Sequence, residues 1–149
     1  MINYENFGKL KLSEVWPENK DIHKVSNFEF MNDIWVGETY GFTEWLQLEK
    51  EPAITRSISI ALLDTPDHVI ERVLKQIGFD FEKGMTEEQI TSILGKPIKI
   101  EKFVVDRHSN EYIIGTQDKY YLSLTFQQDK GLTYIVLMNH AKSIHALTK

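Results

Sequence analysis

Cysteine is absent from the 149 residues of this chain. That excludes a disulfide framework, thiol catalysis and thiolate metal sites, and with them a cysteine-borne lipid anchor. No apolar run approaches the roughly 20 residues that a membrane-spanning helix needs. The opening Met1-Ile2-Asn3-Tyr4-Glu5-Asn6-Phe7 lacks the basic-then-apolar order of a signal peptide. Basic residues are in deficit, with 17 Lys and Arg against 22 Asp and Glu and a formal net charge of -5. A general nucleic-acid binder would need the opposite balance, whereas a basic protein partner is compatible with this one. The expectation is a cytoplasmic protein that engages neither nucleic acid nor membrane; oligomeric state is left open.

Catalytic signatures are equally scarce. The chain has no Gly-rich phosphate loop and no Gly-x-Ser-x-Gly, and its serines fall in strand or cap positions with no ordered base nearby. None of the five histidines, His23, His68, His108, His140 and His145, sits at metal-ligand spacing. The densest polar cluster is Asp106, His108 and Glu111, at an expected strand–turn–strand junction where polar residues gather in any case. Asp64, Asp67 and His68 flank a helix start, where capping accounts for the acids. The reading is a non-enzymatic protein with no metal and no cofactor. The alternative is a small-ligand or metal-dependent enzyme that uses Asp106, His108 and Glu111.

What is present is core material: 42% hydrophobic residues, including 3 Trp, 6 Tyr and 8 Phe. The length suits one domain over residues 1–149. Lys9 to Val15 reads as an edge strand, and Trp16 before Pro17 as a local plug. Phe28 to Val36 alternates as a strand, Gly37 to Gly41 reads as a loop, and Phe42 to Glu49 alternates again. With Val36 opposite Phe42, Asp33 faces Trp45, Trp35 faces Thr43, and Glu29 faces Glu49. Trp35 and Trp45 then share an otherwise polar face, which marks an interface unless another part of the chain covers it. The candidate partner-binding residues are therefore Trp35 and Trp45 as anchors, with Asp33, Glu29, Glu38 and Glu49 steering a basic partner.

Downstream, Ile54 to Leu63 reads as a third strand. Thr65 as N-cap and Pro66 at the first helical position open a helix whose inward face is Val69, Ile70, Val73, Leu74 and Ile77. Gly78 ends it, and Phe79 and Phe81 anchor the connection. A second helix has both ends written in. Thr86 and Gln89 form a capping box, Glu87 and Glu88 complement the dipole, and Ile90, Ile93 and Leu94 make an apolar stripe. Gly95 and Pro97 stop it. Strands fill the rest: Ile98 to Asp106 with a phase change near Lys102, a short Glu111 to Gly115, an inward row of Tyr120, Leu122, Leu124 and Phe126, a turn at Asp129-Lys130-Gly131, and Leu132 to Met138. His140 to Leu147 reads as a short terminal helix or tail. The fold class is α+β, an antiparallel sheet with two helices packed on one face.

Gly84-Met85-Thr86, Ile90, Leu94-Gly95 and Pro97, followed by Tyr112, the row from Tyr120 to Phe126 and Gly131-Leu132, form a recognisable pattern. Over residues 81–138 the chain resembles the β-lactamase-inhibitor-protein-like family, which also includes small lipoproteins of outer-membrane assembly. The resemblance implies a helix–loop–helix followed by an antiparallel sheet, and a non-catalytic protein that presents a sheet surface to another protein. This chain lacks the lipid-bearing cysteine of the envelope members and the paired cysteines of the secreted inhibitors. Only the fold and protein binding carry over. The resulting expectation is a bacterial inhibitor or immunity-type protein that masks a basic partner.

Overall fold

The computed structural model describes residues 29–30, 34–39, 42–47, 54–115 and 119–138, with side chains from Ile58 onward except that of Phe103. The chain is α+β, with antiparallel strand pairing throughout the described ladders. It divides into two compact units, Met1–Asp80 and Phe81–Lys149. Among the described residues no helix is long and apolar enough to cross a membrane. The segments Lys9 to Val15 and His140 to Leu147, and Trp16, lie outside the described residues.

The first unit is a meander of β1 (Glu29–Phe30), β2 (Ile34–Thr39), β3 (Phe42–Gln47) and β4 (Ile54–Ala61), followed by α1 (Asp67–Ile77). Two expectations change here. The single strand expected over 28–36 is two strands, β1 pairing back on β2 with Glu29 opposite Trp35 and Phe30 opposite Ile34. Asn32-Asp33, read as strand members, are turn-forming residue types. The β2–β3 hairpin is also tighter than the expected loop from Gly37 to Gly41: β2 continues through Gly37 to Thr39, and Thr39 faces Phe42. Val36 therefore lies opposite Trp45 rather than Phe42. A shift of register by an odd number of residues exchanges the faces of one strand relative to the other.

The inward face expected for α1 is observed: Val69, Ile70, Val73, Leu74 and Ile77 are all buried, while Asp67, Glu71 and Lys75 are exposed. Gly78 caps its C-terminus in the left-handed conformation, and Phe79 and Phe81 are buried. The N-terminus differs from expectation. The N-cap is Pro66, without a side-chain cap, because the Thr65 hydroxyl donates instead to the Ala61 carbonyl at 2.8 Å. Thr65 closes the turn after β4 rather than the helix.

The second unit comprises α2 (Glu87–Leu94) and the strands β5 (Lys99–Val104), β6 (Arg107–Ile114), β7 (Tyr120–Gln127) and β8 (Gly131–Met138), which pair in the order β5-β6-β7-β8. The inward row on β7 is as expected. Leu122 lies opposite Leu137, Leu124 opposite Ile135 and Phe126 opposite Leu132, all buried. Each such side chain removed from water contributes about 1.5–3 kcal/mol before the entropy of ordering is subtracted. The phase change near Lys102 is a register shift in the β5–β6 ladder between Lys102 and Val104. The strand expected from Glu111 begins earlier, at Arg107, because only Val105 and Asp106 are needed to reverse the chain.

The second helix forms as its sequence dictates. Thr86 Oγ1 accepts from the Gln89 amide at 3.2 Å, and Gln89 Oε1 accepts from the Thr86 amide at 3.0 Å, completing the capping box. The apolar stripe is narrower than expected: Ile90 is fully buried, Leu94 is half-buried, and Ile93 is 46% exposed. Gly95 ends the helix at φ 84, ψ -166, a positive-φ extended conformation rather than the left-handed helical one.

The segment before α2 is tied to β8 by backbone. The Gly84 amide donates to the Leu132 carbonyl at 3.1 Å, and the Leu132 amide donates to the Met85 carbonyl at 2.9 Å. Gly131 sits in this crossing at φ 71, where a Cβ atom would stand 2.4 Å from the Gly84 oxygen. Gly84-Met85 and Gly131-Leu132 are thus two halves of one contact.

Candidate functional site

Strand alternation sorts the polar residues of β6 onto two faces. His108, Asn110 and Tyr112 look toward α2. Glu87 Oε2, in the first turn of α2, bonds His108 Nε2 at 2.6 Å and accepts from Asn110 Nδ2 at 2.8 Å. The Tyr112 hydroxyl donates to the Gly95 carbonyl at 3.3 Å, at the other end of the helix. The opposite face carries Ser109, hydroxyl to hydroxyl with Thr125 at 2.6 Å, and Glu111, which accepts from the Tyr121 hydroxyl.

The cluster of Asp106, His108 and Glu111 therefore does not converge. Glu111 points away from His108 through the sheet, and Asp106 lies 3.5 Å from Arg107. The residue that meets His108 is Glu87, which sequence reasoning placed only as a helix-dipole partner. Sequence separation hides this pairing, since only folding brings the first turn of α2 over β6. Among the described residues no group of three or more His, Cys, Asp or Glu could hold a metal ion.

Burial alone would raise the Glu87 carboxyl, but its hydrogen bonds from His108 and Asn110, with the charge of His108, hold it below the ordinary carboxylate range. A depressed folded-state value contributes stability above the unfolded value, and that stability is lost as pH falls through the folded one. Glu87→Gln keeps an acceptor for Asn110 but cannot ionise. Its stability relative to wild type is expected to be lower at about pH 7, with a smaller difference at about pH 3 as the Glu87 carboxylate of wild type begins to take up its proton. Urea midpoints at the two pH values check this, and a constant offset would show that the charge of Glu87 is immaterial. Burial, then the bond to Glu111, pushes Tyr121 up to about 12, so it stays a neutral donor.

Beside Glu87 the unit opens into a cleft of about 840 Å³ at the end of the sheet where the β5–β6 and β7–β8 turns meet. The two turns are joined by the Gln128 amide, which donates to the Asp106 carbonyl at 2.7 Å. The walls carry apolar groups, Ile100, Val104, Val105 and Phe126, among the carboxylates of Glu87, Glu88, Asp106 and Asp129. Lys102, Arg107 and Lys130 also reach it. His108 forms part of the floor, its ring tilted against Phe126 at a centroid distance of 5.8 Å. Val105, at the tip of the β5–β6 turn, is fully exposed, where turn chemistry favours a polar residue or glycine.

The residues expected to bind a partner are not brought together as expected. Glu29 lies on β1, Trp35 and Glu38 on β2 and Trp45 on β3, while Asp33 and Glu49 lie outside the described residues. Trp35 pairs with Leu46, and Trp45 with Val36. Directly opposed positions share a face, so positions 35 and 45 belong to opposite faces of the hairpin. The shared tryptophan face is thereby corrected: it depended on the longer loop.

Comparison of the chain with protein-family models, with curated proteins and with solved structures returned no match.

Proposed function

We propose that this chain is a non-catalytic protein-binding module of the inhibitor or immunity type, acting in the cytoplasm, and that its partner docks on the open cleft of the second unit. The observation that carries this reading is the pairing of exposed apolar groups with carboxylates at one end of the sheet. Val104 is 55% exposed and Val105 wholly so, and Glu88, Asp106 and Asp129 surround them. Apolar anchors ringed by charge are the composition of a binding surface, and the net charge of -5 favours a basic partner. The inhibitor character rests on the resemblance of residues 81–138 to an inhibitor-bearing family.

Val105 is the best probe, because a fully exposed side chain can be changed without disturbing the core. Val105→Asp is expected to weaken retention of a basic partner from source lysate about tenfold or more, with an unchanged melting temperature. A second reading has one observation behind it, the Glu87–His108 pair at the cleft wall, which is the arrangement of an oriented base. If no basic protein is retained, and a small molecule or divalent ion raises the melting temperature of wild type but not of His108→Ala, that second reading replaces the first.

A further inference from the structure

We propose that two copies of this chain join their sheets through β5, strand against antiparallel strand, about a twofold axis at Ile100. Among the described residues β5 pairs with β6 alone and stands at the end of the strand order. An edge strand leaves one row of backbone donors and acceptors open, and proteins commonly blunt such edges with bulges, proline or charge. Here proline and the bulge bound the strand, while its charges, Lys99, Glu101 and Lys102, lie within it. Pro97 and Ile98 lie before it and the register shift after Lys102 ends its regular part, leaving Lys99 to Lys102 as an unbroken segment that contains Ile100. Ile98 is 54% exposed and Ile100 53%.

Few registers are available. A twofold axis perpendicular to the sheet keeps corresponding faces of the two copies on the same side, so each residue must pair with one from its own face, and the axis passes through a residue. An axis at Lys99 or Lys102 sets two ammonium groups directly against each other, and an axis at Glu101 sets two carboxylates together. Like charges directly opposed are destabilising. An axis at Ile100 sets Ile100 on its own copy, Lys99 on Glu101, Glu101 on Lys99, and the aliphatic stem of Lys102 on Ile98. Within one copy Lys99 Nζ is already 2.7 Å from Glu101 Oε1, so pairing produces a row of four alternating charges on one face.

Ile100 and Lys102 also line the cleft, but Lys99 and Glu101 lie on the other sheet face and do not, so the test is placed on Lys99 and Glu101 to keep it apart from the docking reading. The test is sedimentation equilibrium of the full chain from about 1 to 200 µM, because a single strand pairing is a small interface and calls for micromolar affinity. Wild type is expected to dimerise over this range. Lys99→Glu should weaken the dimer about tenfold or more by setting carboxylates against each other on both sides of the axis, and Lys99→Glu/Glu101→Lys should restore it. The restored double variant also controls for misfolding. A wild type that stays monomeric at the highest concentration overturns the proposal, as does a dimer indifferent to the charge reversal. A monomer that retains a different protein and loses it on Lys99→Glu but not on Val105→Asp would assign the edge to a foreign strand and overturn it as well.

Discussion

Gly131→Ala is expected to destabilise the protein by about 3 kcal/mol or more. Two penalties act together. The backbone at Gly131 has φ 71, a region that costs an L-residue about 1–2 kcal/mol. The new Cβ would also stand 2.4 Å from the Gly84 oxygen, 2.6 Å from the Met85 oxygen and 2.7 Å from the Gly84 carbonyl carbon. All three are backbone atoms, which cannot swing aside as a side chain would. Relief requires separating the chain before α2 from β8, and so losing the Gly84–Leu132 and Leu132–Met85 hydrogen bonds, each worth about 1 kcal/mol. Gly95→Ala is the control. Its φ of 84 with ψ -166 lies in a region that glycine alone adopts readily, so its backbone penalty is no smaller, but nothing lies within 4 Å of the added Cβ. In urea denaturation a loss at Gly131 that exceeds the loss at Gly95 is the collision, and a loss at Gly131 of no more than about 1–2 kcal/mol, the backbone penalty alone, would show that the crossing is not tight.

Ile90→Ala is expected to cost about 2–4 kcal/mol. Ile90 is fully inaccessible to solvent and is the only side chain of α2 that is. The helix has 8 residues, too few to persist on its own propensity, so its presence depends on this one buried group and on the polar links from Glu87. Removing the isoleucine leaves a cavity under a helix with little else to hold it. Ile93→Ala, on the solvent side of the same helix, should stay within about 0.5 kcal/mol of wild type. Amide exchange adds a local readout: the amides of α2 should lose protection in Ile90→Ala before those of β7 do. Uniform loss across the unit would mean that α2 and the sheet unfold as one.

The parts of this fold legible in the sequence are those fixed by near neighbours. The capping box at Thr86 and Gln89, the buried face of α1, the turn into Gly131 and the inward row of β7 each depend on residues within one or two turns of chain. The failures share another cause. The β2–β3 register depended on whether Gly37 ended a strand or continued it, and both choices satisfied the local alternation. Thr65 could donate backward to Ala61 or cap forward, and the sequence is compatible with either. The site was hidden for a third reason. Glu87 does ordinary work as a first-turn acid, and nothing near it in the chain announces that His108 and Asn110 will arrive from a strand formed later. The Asp106, His108 and Glu111 cluster looked denser than it is because proximity in sequence along a strand divides residues between faces.

The crossing of Gly84 with Gly131 also sets the order in which this unit can be assembled. The helix α2 can begin to coil by itself, but the Gly84 amide and the Met85 carbonyl just before it meet their partner, Leu132, only when β8, the last described strand of the unit, is in place. Contacts between distant parts of the chain form only after the cost of closing the intervening loop has been met. The cleft wall made by Gly84, Thr86 and Glu87 is therefore finished late, after the three hairpins that link β5 to β8. A nascent chain whose ribosome still holds β8 carries most of the charged and apolar groups of the cleft but not the cleft itself.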